Sequence, residues 1–194
     1  MKTISQYRFR FISLTFLLFF LVSAITRTVL LIKSIDMIDV SVVDILEIYL
    51  IGGFYDLVAT SYLVIPFIVY IFFVPERFWK HKVNKYITFL FIYTLLFALV
   101  FYAFSEWFFW DEFNVRFNFI AVDYLVYTSE VIGNIRESYP MEILLSIIAV
   151  LSIIMLFFLY KFNQITHILD TPSDLKLRIK PTLFYLMLPL LSYV

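Results

Sequence analysis

The chain has no cysteine, three glycines, two histidines and few charges: Asp, Glu, Lys and Arg make up 15% of its 194 residues. Without cysteine there are no disulfides, thiolate metal sites or cysteine nucleophiles. His81 and His167 fall in loops far apart in sequence, which makes a histidine metal site improbable. Gly52, Gly53 and Gly133 are too scattered to build a glycine-rich phosphate cradle. A soluble domain carries about 25% charged residues, so this composition lies outside the soluble range. The net charge is zero, which leaves no global basic field and no case for a nucleic-acid partner.

Apolar and aromatic residues are abundant instead. Hydrophobic residues make up 63% of the chain, with 24 Phe and 14 Tyr, and the mean hydropathy is +0.94. They are gathered in long runs at 11–32, 50–74, 86–105 and 141–160, with a shorter run at 182–194. A helix needs about 20 apolar residues to cross the ~30 Å hydrocarbon layer. The first four runs reach that length and the fifth does not. The expected fold is therefore an all-α, polytopic membrane helix bundle with four complete spans and a truncated fifth, the front end of a longer protein. A cleavable signal peptide over the first 24 residues is the alternative for the first run. Against it, apolar character resumes through 29–32 after the single Arg27.

Loop charge sets the expected orientation. Lys2, Arg8 and Arg10 precede the first run. Arg77, Lys80, Lys82 and Lys85 follow the second, and Lys161, Lys176, Arg178 and Lys180 follow the fourth. The intervening loops carry Asp36, Asp39, Asp44 and Glu47, then Glu106, Asp111, Glu112, Asp123, Glu130 and Glu137. Lys and Arg in short loops are retained in the cytoplasm, so the N-terminus is expected inside and the fifth helix is expected to run outward. Prolines sit near the boundaries: Pro75 closes the second helix, while Pro140 and Pro181 precede the fourth and fifth. Pro66 and Pro189 fall inside helices and should kink them.

Apart from Glu142 at the very start of the fourth run, Arg27 and Asp56 are the ionised groups within the spans, at similar depths below the outer surface, and are expected to pair. A lone charge near the bilayer centre costs about 2.5–3.5 kcal/mol on insertion scales. The pair reads either as a structural clamp or as Arg27 facing a lipid phosphate with Asp56 orienting it. Gly52 and Gly53, one turn earlier, suit close approach to the first helix.

The stretch 106–140 is too long and too apolar for an idle connection. Phe113, Phe117, Ile120, Tyr124, Tyr127 and Val131 recur at four- and three-residue steps, with Arg116, Asp123, Glu130 and Glu137 on another face. This predicts an amphipathic helix in the outer interface, ending near Gly133-Asn134. It either plugs the bundle or serves a lipid head group or an outer domain through Arg116, Asp123 and Tyr124.

Here a family resemblance enters. Glu112-Phe113-Asn114-Val115-Arg116-Phe117-Asn118-Phe119-Ile120-Ala121-Val122-Asp123-Tyr124-Leu125, continuing to Asn134-Ile135-Arg136-Glu137-Ser138-Tyr139-Pro140, resembles the outer loop of the lipoteichoic acid synthase and phosphoglycerol transferase family, especially its Gram-negative members. Gly53-Phe54-Tyr55-Asp56-Leu57 followed by Pro66 resembles that family's second helix. The resemblance implies a five-helix domain in the bacterial cytoplasmic (inner) membrane, joined after residue 194 to an extracytoplasmic domain of the alkaline phosphatase and sulfatase superfamily. In that family a threonine beside a divalent metal (manganese or magnesium) takes phosphoglycerol from phosphatidylglycerol and passes it to a hydroxyl. None of those positions lies within 1–194. The chain is thus expected to hold no catalytic residue, metal ligand or cofactor, and to have membrane lipid and its own C-terminal domain as partners. A small transporter using Arg27 and Asp56, or a scaffold docking through the outer helix, are the competing readings; no repeat between the halves supports the first.

Overall fold

The structure, a computed structural model, describes residues 8–35, 39, 41–126, 128–169 and 175–193. Lys2, Asp36 and Tyr127, named above, lie outside the described residues, as do Asp170 and Asp174 and the side chains of Tyr124 and His167. All regular structure among the described residues is helical. The order is α1 (Arg10–Ser34), α2 (Val42–Leu63), α3 (Ile65–Phe73), α4 (Glu76–Trp79), α5 (Lys82–Phe113), α6 (Phe119–Val126), α7 (Thr128–Ser138), α8 (Met141–Lys161), α9 (Gln164–Leu169) and α10 (Leu175–Met187), with a 3-10 segment at Leu188–Tyr193.

Three helices, α1, α5 and α8, are long and apolar enough to cross a membrane, and α2 with α3 makes a fourth if that bent pair is one span. The pair bends by 42° at Val64. Pro66, in the first turn of α3, cannot donate to the turn before it and its ring crowds that turn. The helix splits there without unravelling, because Val64 N–H still reaches Thr60 O at 3.0 Å. Helix α5 packs between α8 and α1, α1 also packs on α2, α10 lies on α3, and the 3-10 segment lies on α2. The core between them is apolar, built from residues such as Ile12, Leu18, Ile68, Ile92, Leu96 and Ile165. Rows of large apolar side chains point outward, including Ile143, Ile147, Val150, Ile154 and Phe157 on α8. Such a surface suits lipid and not water.

The three basic segments meet at one end. Arg8 donates to Val74 O at 2.9 Å and also to Glu76. Arg178 donates to Phe72 O and Val74 O at 3.0 and 2.7 Å, and Arg10 to Gln164 at 3.1 Å. Two guanidiniums thus satisfy carbonyls at the C-terminus of α3, which have no partner within the helix and carry the negative end of its dipole. At the opposite end, Lys33 is paired with Asp111 and sits 4.3 Å from the centre of the Trp107 ring.

Several boundaries differ from the sequence expectation. Helix α5 runs on to Phe113 and stops at Asn114 in the left-handed conformation (φ 53°), so Glu106, Asp111 and Glu112 are helical and not in a loop. The outer stretch is helical over Phe119–Val126 and Thr128–Ser138, and Tyr127 between them lies outside the described residues. Asn118 accepts from Ile120 N–H at 2.9 Å and starts α6, and Gly133-Asn134 lies inside α7 with open space around Gly133. Pro181 lies inside α10, which begins at Leu175; the earlier start places Arg178 on the α3 carbonyls. Pro189 falls in the 3-10 segment and does not kink an α-helix. His167 is on α9, not in a loop. Trp79 is buried, with its indole donating to Leu169 O at 3.2 Å and Arg8 lying 4.3 Å from its ring centre.

Candidate functional site

On α1, Ser23 and Arg27 are one turn apart and share a face. On α2, Tyr49, Gly52 and Asp56 follow at three- and four-residue steps and share the face opposite. Arg27 Nη2 donates to Asp56 Oδ2 at 2.8 Å, and Ser23 Oγ donates to Asp56 Oδ1, also at 2.8 Å. Arg27 Nη2 lies 3.3 Å from Ser23 Oγ. Both carboxylate oxygens are therefore engaged, and both ions are buried, at 5% and 8% exposure. Gly52 makes this possible: a methyl group there would overlap the Arg27 guanidinium. Tyr49 covers the pair, its ring centre 5.8 Å from Arg27 Cζ and its hydroxyl 2.6 Å from Thr28 Oγ1. The guanidinium is enclosed by α2 on this side.

A second ion pair sits beyond it. Glu106, 1% exposed, accepts from Arg116 Nε and Nη2 at 2.5 and 3.0 Å. Arg116 follows the left-handed turn at Asn114, which brings the chain back onto the end of α5. Burial works against its charge, but Glu106 outweighs that and holds its pKa above the ordinary value; Asp56 adds in the same direction. The polar groups thus form a chain of alternating sign, Arg27, Asp56, Arg116 and Glu106, across one half of the bundle. Arg116 keeps about a third of its side chain exposed, at 35%. It is the member of the chain that a ligand can reach.

The candidates from the sequence are distributed unevenly. Arg27 and Asp56 touch each other, and Arg116 lies near them. Asp123 is exposed on α6 and forms no ion pair among the described residues. Phe117 packs on Tyr102 and Phe109, and Tyr139 packs on Phe108, with ring centres 4.6–5.8 Å apart. Between them, Phe119, Val122 and Val126 are exposed along one side of α6. Sequence reasoning missed Glu106, grouping it with the loop acids. Its signal was register: Thr88, Ile92, Leu95 and Leu99 form a buried stripe on α5, and Glu106 continues it through Tyr102.

Among the described residues no group of three or more His, Cys, Asp or Glu comes together to hold a metal ion. The arrangement can clamp helices and present one partly exposed guanidinium. Set against family models, curated proteins and solved structures, the chain matches none.

Proposed function

We propose that this chain is the membrane domain of a phosphoglycerol transferase or related sulfatase-like enzyme in the bacterial cytoplasmic membrane, anchoring an extracytoplasmic catalytic domain and presenting phosphatidylglycerol to it. In this reading the basic end is cytoplasmic, α2 and α3 form one bent span, α10 with the 3-10 segment enters as a fifth, and α6 and α7 lie in the outer interface. The observation that carries it is Arg116: a cation fixed in place by a buried carboxylate at the acidic end, with part of its surface open, beside helices whose apolar residues face outward. Guanidinium suits a lipid phosphate because its planar fork can donate two parallel hydrogen bonds. The resemblance in 112–125 and 53–57 supplies the enzyme class.

The test follows glycerol phosphate released from labelled phosphatidylglycerol by the whole gene product in membranes. Arg116→Ala combined with Glu106→Gln, which avoids leaving a lone buried carboxylate, is expected to lower turnover about tenfold or more while the protein still inserts and melts as a folded unit, because the lost group is a charge-assisted contact worth about 1.5–3 kcal/mol. Turnover equal to wild type in that variant, or no release by the wild-type protein, contradicts the proposal.

A further inference from the structure

The basic end holds a cavity of about 380 Å³ between the first turns of α5, the end of α8 and α9. Its rim carries Lys80, Lys82 and Lys85, and its wall is Trp79, Phe89 and Tyr160. Glu76 also borders it, but that carboxylate already faces Arg8 and Arg178, with Lys80 at 3.4 Å. Lys82 and Lys85 form no ion pair among the described residues and are exposed. Phe89 and Tyr160, with ring centres 5.8 Å apart, continue the cavity toward the apolar seam where α5 packs on α8. The cavity thus lies at the level where spanning helices end, charged on the water side and aromatic on the lipid side. The N-terminus of α5 adds its positive dipole end.

We infer that this cavity binds the phosphodiester headgroup of an anionic phospholipid from the leaflet at the basic end of the bundle. The lysines meet the phosphate, and the aromatic wall receives the glycerol and the start of an acyl chain. Basic pockets between spanning helices suit anionic lipid heads, and aromatic side chains suit that depth. Free phosphate offers the same charge but nothing for the wall, so the wall favours lipid. The site is independent of the enzyme reading above, since it lies at the other end of the bundle from Arg116 and concerns retention, not turnover.

The test uses the full-length protein in nanodiscs of mixed phosphatidylglycerol and phosphatidylcholine, with native mass spectrometry counting the lipids that stay bound. Wild type is expected to retain phosphatidylglycerol preferentially, and Lys82→Gln with Lys85→Gln to retain it roughly thirtyfold more weakly, about fivefold per basic residue. Lys82→Arg with Lys85→Arg keeps the charge and should retain lipid as wild type does, which separates a charge role from a folding defect. Lys176→Gln, a basic change at the same end that does not line the cavity, should have no effect. Equal retention in wild type and the double Gln variant overturns the inference. So does binding of inorganic phosphate with no preference for anionic lipid.

Discussion

Replacing Asp56 by Ala is expected to destabilise the folded bundle by about 3–5 kcal/mol, because Arg27 is then a buried cation with no counter-charge. The geometry leaves it little escape. Arg27 is enclosed by Gly52, Tyr49 and Ser23, and its contact with Asp56 is a direct 2.8 Å hydrogen bond. Asp56→Asn should cost less, since the amide oxygen still accepts from Ser23 or Arg27. Arg27→Leu combined with Asp56→Leu should recover most of the loss, because two well-packed apolar groups replace a buried pair at little net cost. Gly52→Ala is coupled to the same pair: its methyl must displace the guanidinium, whereas Gly53→Ala meets only Phe20 at an ordinary 4.0 Å. Gly52→Ala should therefore cost about 1–3 kcal/mol in the wild-type background and nearly nothing beside the double Leu variant, with Gly53→Ala neutral in both. Unfolding by SDS titration in mixed micelles reads these differences. An Asp56→Ala protein as stable as wild type would mean that the pair is not a clamp.

Removing Glu76 should have a comparable effect at the other end. Arg8 is fully buried and Arg178 is 3% exposed, and Glu76 is an acid that both of them face. Burial, and then the charge of Arg178, pull the pKa of Arg8 down to about 10, while Glu76 pushes it back up. Arg8 remains protonated at neutral pH, so Glu76→Ala removes the carboxylate that lies between it and Arg178. The expected loss is about 3 kcal/mol, the low end for breaking a buried pair because Glu76 itself is partly exposed. Adding Arg178→Met should return part of it. Lys80→Ala is the control: that lysine is 66% exposed in its pair with Glu76, and exposed pairs contribute about 0–1 kcal/mol. If Glu76→Ala and Lys80→Ala melt alike, the carboxylate does not hold the arginines.

The sequence made the spans legible because lipid imposes a length and a composition that few other structures share. Loop charge likewise identified the segments that meet through Arg8, Glu76 and Arg178. Helix ends were harder to read. Apolar runs mark where hydrocarbon is met and not where a helix stops, so α5 outran its apolar stretch by two turns once Asp111 had Lys33 and Glu106 had Arg116. A proline was likewise a poor boundary at Pro181, where tertiary anchoring of Arg178 extended α10 backward. The Arg27 and Asp56 pairing could be argued from depth alone. Glu106 could have been found only by extending the α5 stripe past the point where charge first appears.

Whether the charge-sorted ends face opposite sides of a membrane is the claim on which the functional reading depends, and the missing cysteines make it directly measurable. Arg77→Cys at the basic end and Glu130→Cys on α7 each introduce a single thiol at an exposed position. Labelling spheroplasts with a membrane-impermeant maleimide is predicted to modify Glu130→Cys at once and Arg77→Cys only after the cytoplasmic membrane is permeabilised. Modification of Arg77→Cys in intact spheroplasts, or equal labelling of both positions, would contradict the account.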